Sequence, residues 1–182
     1  IGKIRLYKIA FGFPRRSQND FRYNKKLGGG ALLDAGGYTL KYANLLLGSS
    51  AKIICADLNN YDNSDVDIFG TATLKNKEGV IAQLSFGMDN YYKCELTAWG
   101  STGELTTGRV LTAPAGYTPT ALLKTAEGER EIKLSPDDTF MKSIQEFKKS
   151  IQDESIRKNQ YNSIIQQAKI IEAFKEKANE CI

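Results

Sequence analysis

Leu27-Gly28-Gly29-Gly30-Ala31-Leu32-Leu33-Asp34-Ala35-Gly36-Gly37-Tyr38-Thr39-Leu40-Lys41 packs five glycines, one carboxylate and one phenol into fifteen residues. Leu32, Gly36, Leu40, Ala43 and Leu47 recur at spacings of three and four, which predicts a helix over 30–47 that Gly48 stops. Side chains four apart share a helix face. Asp34 and Tyr38 are therefore expected side by side, with Lys41 next along. A glycine inside a helix costs roughly 1 kcal/mol relative to alanine, so the Gly36-Gly37 pair implies that something approaches the backbone closely, either a neighbouring element or a flat ligand. Gly28–Gly30 leave helix-start N–H groups for carbonyl or anionic oxygens, or else form a tight turn before close helix–sheet packing. Residue types alone leave both readings open.

Outward from this stretch the chain reads as strands and then helices. Residues 3–13 form a strand ending at Pro14, and 15–30 are irregular and polar. Lys52–Leu58 is a strand, followed by an Asn/Asp-rich loop over 59–65. Val66–Leu74 pairs with Val80–Phe86 across the loop Lys75–Gly79. Tyr92–Trp99 alternates, with Tyr92, Cys94, Leu96 and Ala98 on one side. Glu104–Thr106, Arg109–Thr112, Thr120–Thr125 and Arg130–Leu134 are shorter strands. Ser135 is placed as a helix N-cap, with Pro136 at the first helical position and Asp137-Asp138 in the first turn. Phe140, Ile144, Phe147 and Ile151 form that helix's apolar stripe, and a last helix over 158–180 packs through Ile164, Ala168, Ile171 and Ala178. This order predicts an α+β fold: a mostly antiparallel open β-sheet with helices packed on one face. The other face is left uncovered, and Phe69, Ile81 and Phe86 suggest hydrophobics on both.

The 182 residues suit one domain, and 41% hydrophobic with 25% charged is ordinary for a globular chain. No apolar run approaches the roughly 18–20 residues of a membrane helix, so no membrane partner is expected. The chain begins at Ile1 in a strand and reads as part of something longer. Cys55, Cys94 and Cys181, odd in number and far apart, fit reduced thiols in a cytoplasm. The absence of histidine excludes a His-ligated metal and a His general base from this chain, and no metal is expected. Residues 1–52 hold ten Lys/Arg against two acids. An anionic ligand such as a dinucleotide or nucleotide-sugar diphosphate accounts for that excess, as does a solvated basic surface. No nucleic-acid-binding motif accompanies it. Gly100–Gly103 lacks a following Lys-Ser/Thr and reads as a turn. No G-x-G-x-x-G opens a βαβ unit, so the chain does not hold a dinucleotide in the usual way by itself.

Asn19-Asp20-Phe21-Arg22-Tyr23, then Gly28-Gly29-Gly30, Asp34-x-Gly36-x-Tyr38 and Leu46-Leu47-Gly48, followed by Asp65-Val66-Asp67 and Trp99–Leu105, resembles the C-terminal domain of the Gfo/Idh/MocA oxidoreductases. These enzymes oxidise or reduce sugars with NAD or NADP. The resemblance implies a substrate-binding and oligomerising domain over 1–182, partnered by an N-terminal dinucleotide-binding domain. The partner molecule it implies is a sugar or nucleotide-sugar. Tyr38, where many relatives carry His, looks like the glucose–fructose oxidoreductase and nucleotide-sugar ketoreductase branches. It implies Tyr38 as acid/base and Asp34 as an orienting or substrate-binding carboxylate. The resemblance also implies Arg22, Tyr23, Gly29 and Gly30 as cofactor-binding residues, Arg22 and Tyr23 matching the place beside the nicotinamide end. On residues alone, Arg22 equally suits a loop arginine pairing with Asp20. Lys41 stands where an acid is common and is either a substrate contact or a solvated residue. The exposed sheet face is where the resembled family builds homo-oligomers. A non-catalytic sugar-binding or oligomerisation module of the same fold is the alternative, which the sequence preceding residue 1 would discriminate.

Overall fold

The computed structural model describes residues 1–60 and 64–180; residues 61–63 of the Asn/Asp-rich loop, together with Cys181 and Ile182, lie outside the described residues. Strand β1 (Ile4–Gly12) leads through two single 3₁₀ turns (Phe21–Tyr23 and Lys25–Leu27) into a π-helical turn (Leu32–Gly36) and helix α1 (Gly37–Leu47). Strands β2 (Lys52–Asn59), β3 (Phe69–Lys75), β4 (Ile81–Gly87), β5 (Lys93–Gly100), β6 (Gly103–Gly108), β7 (Thr120–Thr125) and β8 (Gly128–Lys133) follow, then helices α2 (Thr139–Gln152) and α3 (Glu154–Glu180).

The eight strands form one open sheet in the order β2-β3-β4-β1-β5-β6-β7-β8. β1 lies parallel to β4, with Ile9 opposite Leu84, and antiparallel to β5. A parallel pair needs a crossover connection, and here α1 and the meander β2-β3-β4 provide it. The other pairings are antiparallel, so the sheet is of the expected kind.

Period-two alternation turns Ile9 and Phe11 of β1, Ala72 and Leu74 of β3, and Ala82, Leu84 and Phe86 of β4 to one face. Leu32, Leu40, Ala43 and Leu47 pack onto that face together with Ile170 and Phe174 of α3. The stripe read from the sequence over 32–47 is buried throughout. Gly36 lies under the Phe86 ring, where an added Cβ would meet ring carbons at 3.0 Å. Close helix–sheet packing thus accounts for this glycine. The opposite face carries Thr73, Gln83, Lys8, Thr97 and Thr106 in one register row, and Ile81, Leu6 and Trp99 in another. Apolar groups therefore stand on both faces, although Phe86 points inward.

Four details differ from the sequence reading. Helix α2 starts at Thr139 and is capped by Asp138, whose carboxylate accepts from Met141 N–H, not by Ser135. Its apolar stripe faces outward, with Phe140 72% and Phe147 68% exposed. α3 begins at Glu154, and its buried residues are Ile170, Phe174 and Ala178, while Ile164 and Ala168 are exposed. Arg109–Thr112 is not a strand, because β6 ends at Gly108 and Arg109 turns the chain with φ +50°.

Candidate active site

The loop between β1 and the glycine run is held by side chains. Asp20 accepts from the backbone N–H of Arg22 at 3.0 Å and so caps the first 3₁₀ turn. The Arg22 guanidinium then bridges two acids, donating from Nε to Asp34 at 2.8 Å and from one terminal nitrogen to Asp20 at 3.2 Å. The Asp34 hydrogen bond, with Asp20 adding to it, raises the Arg22 pKa further. The Arg22 backbone N–H, chiefly, holds the Asp20 carboxyl below its ordinary value. The Tyr23 hydroxyl accepts from Arg16 N–H at 2.9 Å and donates to the Met88 carbonyl at 3.2 Å. Its polar tip is spent on its own chain.

The glycine run turns out to serve close approach and not N–H donation. The N–H of Gly28 goes to the Lys25 carbonyl, that of Gly29 to Asn24, and that of Gly30 to Arg22. The expectation of open donors at Gly28–Gly30 is therefore corrected: all three N–H groups are used within the chain, and a Cβ on Gly29 would collide with the Arg22 carbonyl. Gly30 has φ +123°, and a Cβ there would sit 2.5 Å from an Asp67 carboxylate oxygen. Asp67 takes the place of an anion at the helix start, accepting from Leu32 N–H at 2.6 Å while its carbonyl accepts from Ala31 N–H. Burial pushes the Asp67 carboxyl pKa up, and the Leu32 N–H partly opposes the shift.

Across Leu32–Gly36 the helix widens into a π turn, a form that appears mostly as single turns and often at functional sites. The four-residue face rule holds for an α-helix, and the wider turn re-phases Asp34 against Tyr38. Asp34 pairs with Arg22, and no hydrogen bond joins it to Tyr38 among the described residues. Tyr38 follows in the first turn of α1, 48% exposed, its ring edge-on to Phe11 at 5.4 Å. Among the described residues its hydroxyl makes no hydrogen bond. Lys41 reaches Ser163 of α3 instead of the Asp34–Arg22 pair.

Tyr38 lines a cleft of ≈ 570 Å³ whose other walls are the segment after β6, with Arg109, Thr112 and Pro114, and the start of α2, with Phe140 and Ser143. Sequence reasoning missed this wall. Its anchor is the buried Cys94 of β5: its carbonyl accepts from Arg109 N–H at 2.6 Å, and its sulfur from Leu111 N–H and the Thr112 hydroxyl. The alternation of Tyr92–Trp99 placed Cys94 on one side of its strand, but nothing in the local sequence shows that the segment after β6 is tied to it. The cleft thus offers a phenol with no hydrogen-bond partner among the described residues, together with the hydroxyls of Thr112, Thr139 and Ser143, while the Asp34–Arg22 pair is not among its lining residues.

Fold and site together define an open α+β sheet domain that presents a helix-borne tyrosine and has no phosphate cradle in its glycine run. The chain belongs to the GFO/IDH/MocA family, the model of whose C-terminal domain matches residues 1–106. It is 34% identical over 180 residues, 99% of its length, to a dTDP-3,4-didehydro-2,6-dideoxy-alpha-D-glucose 3-reductase of Actinomadura kijaniata. The same enzyme of Streptomyces violaceoruber is 34% identical over 188 residues, covering 98% of this chain. The chain spans about half the length of these relatives, 54% and 55%. A crystal structure of a 3-ketoreductase from Actinomadura kijaniata with NADP and TDP-benzene superposes with a TM-score of 0.92 at 35% identity, covering 97% of this chain and 55% of that one. That ketoreductase has also been solved with a tyrosine replaced by phenylalanine and with a lysine replaced by alanine.

Proposed function

We propose that this chain is the substrate-binding and catalytic half of an NAD(P)-dependent ketoreductase acting on a nucleotide-linked sugar, with Tyr38 as the proton donor. The observation that carries the reading is the Tyr38 hydroxyl, which lines a cleft with no hydrogen-bond partner among the described residues. The relatives named as dTDP-sugar 3-reductases, and the NADP and TDP-benzene complexes, support the substrate and cofactor class. The glycine N–H groups are spent internally, so the residues here suit only the reactive end of a dinucleotide held by a preceding domain. Bound there, the nicotinamide supplies hydride to the carbonyl carbon.

The chain's own residues manage the oxygen. A phenol is protonated at neutral pH, its ordinary pKa being about 10. An alkoxide is a stronger base than a phenolate, so transfer from Tyr38 to the reduced oxygen runs downhill. The resulting phenolate takes a proton back from water in the half-open cleft. Asp34, fixed by Arg22, accepts a sugar hydroxyl; it does not orient Tyr38 directly. Arg22 and Tyr23, with Gly29 and Gly30, form the loop beside the nicotinamide. Lys41 lies one turn beyond Tyr38, available to the substrate once released from Ser163. The uncovered sheet face, with Trp99, Leu6 and Ile81 among threonines, joins two copies of the protein.

In the complete protein, Tyr38→Phe lowers ketone reduction at least 100-fold, within the range of general acid catalysis, and leaves NADPH affinity unchanged. A Tyr38→Phe enzyme of near-normal turnover refutes the assignment.

A further inference from the structure

Resting on the nucleotide-sugar reading above, we infer that Arg109 is the diphosphate-binding residue of the substrate cleft. Three observations meet at this side chain. First, among the described residues Arg109 alone is a non-glycine with positive φ, +50°. The left-handed region costs an L-residue roughly 1–2 kcal/mol, and such strain persists where the surroundings impose it. Here they do: the Arg109 N–H is bonded to the Cys94 carbonyl at 2.6 Å, and the next turn is tied to the Cys94 sulfur.

Second, the guanidinium lies between two rings, 5.2 Å from the centre of Tyr92 and 5.8 Å from that of Tyr117. The rings hold the cation in place without using its N–H donors. Among the described residues no carboxylate or carbonyl takes those donors. Arg22 differs in this respect, since both of its bonded nitrogens are committed to Asp20 and Asp34.

Third, Arg109 lines the same cleft as Tyr38 and is the only charged residue in its wall among the described residues. The nearby acids are occupied: Asp137 pairs with Lys142, and Asp138 caps Met141 N–H. A planar fork of free N–H donors matches two phosphate oxygens at once. The Thr139 hydroxyl stands in the same wall, whereas those of Thr112 and Ser143 donate to the Cys94 sulfur and the Thr139 carbonyl. Placed so, the diphosphate sits at the Arg109 end and the sugar extends toward Tyr38.

A dinucleotide cofactor also carries phosphates, so the test separates the two sources. The complete protein is titrated calorimetrically with dTDP, thymidine and NADPH, as wild type, Arg109→Ala, Arg109→Lys and Arg109→Gly. Glycine relieves the positive φ while removing the charge, so a loss shared by Ala and Gly is not a folding defect. The inference expects Ala and Gly to weaken dTDP at least tenfold, Lys to retain part of the affinity, and thymidine and NADPH to be unchanged. Wild type that binds dTDP with variants that bind it equally well overturns the role of Arg109 and leaves the nucleotide-sugar reading standing. Loss of NADPH affinity in place of dTDP affinity overturns it in favour of the cofactor. Wild type that binds no dTDP overturns both.

Discussion

Asp67 holds the start of the helix that carries Tyr38 from 35 residues away, and removing its side chain tests how the glycine run works. In Asp67→Ala the Leu32 N–H loses its 2.6 Å acceptor, and Leu32 is 2% exposed, so water cannot replace it without opening the core. Leaving a buried donor unpaired costs about 1–3 kcal/mol, and loss of a helix-capping carboxylate costs about 0.5–2 kcal/mol. These describe the same bond, so about 2 kcal/mol is expected. A domain of this size loses about 2–4 °C of Tm per kcal/mol, which gives a fall of roughly 4–8 °C by circular dichroism. Asp67→Asn keeps an accepting oxygen and should lose less than half as much. The pH dependence has a definite sign. Burial, the larger influence, holds the folded pKa above the unfolded value of 3.8. The contribution of Asp67 is therefore full below the unfolded pKa and is lost as pH rises through the folded one. The neutral Asp67→Asn variant should gain on the wild type over that window. An Asp67→Ala variant melting within 1 °C of wild type (about a quarter of the smallest expected fall), or an Asn variant that loses ground as pH rises, would refute the reasoning.

Neighbouring glycines should behave oppositely. Gly36→Ala drives a Cβ to 3.0 Å from the Phe86 ring and should cost about 1–3 kcal/mol by overpacking. Gly37, with helical φ of −54° and its nearest neighbour the Leu32 carbonyl at 3.9 Å, should gain about 0.5–1 kcal/mol as alanine; urea midpoints that fail to split in this way contradict the packing described. Trp99, 53% exposed on the uncovered sheet face, should govern self-association of the complete protein. Trp99→Lys is expected to convert an oligomer to monomer in light scattering at tens of micromolar, and an unchanged mass excludes this face as the interface.

The stripe from Leu32 to Leu47 was legible because period and burial are the same fact seen twice, and the helix–sheet contact needs only one apolar face. The stripe Phe140–Ile151 has the same period yet faces outward. Periodicity states that a face is apolar, not what covers it. For the glycine run the residue types left close approach and N–H donation both open, because the partner that fills the space at Gly30, Asp67, comes from another element and leaves no local trace. The π turn escaped notice because its apolar residues keep three- and four-residue spacings, so the pairing of Asp34 with Arg22 could not be foreseen. Arg109–Thr112 has strand-like composition, but the β6–β7 pairing ends at Thr107 and Ala121 and the β5–β6 pairing at Gly108, and tertiary bonds to Cys94 override local preference.

The most direct test is the distance from the Tyr38 hydroxyl to the reacting oxygen in a crystal of the complete protein with NADPH and a dTDP-linked sugar. Proton donation requires about 2.6–3.2 Å, directly or through one water, with Asp34 still paired to Arg22 and within reach of a sugar hydroxyl. A sugar bound with its reacting carbon beside the nicotinamide, but beyond bridging distance of Tyr38, contradicts the account.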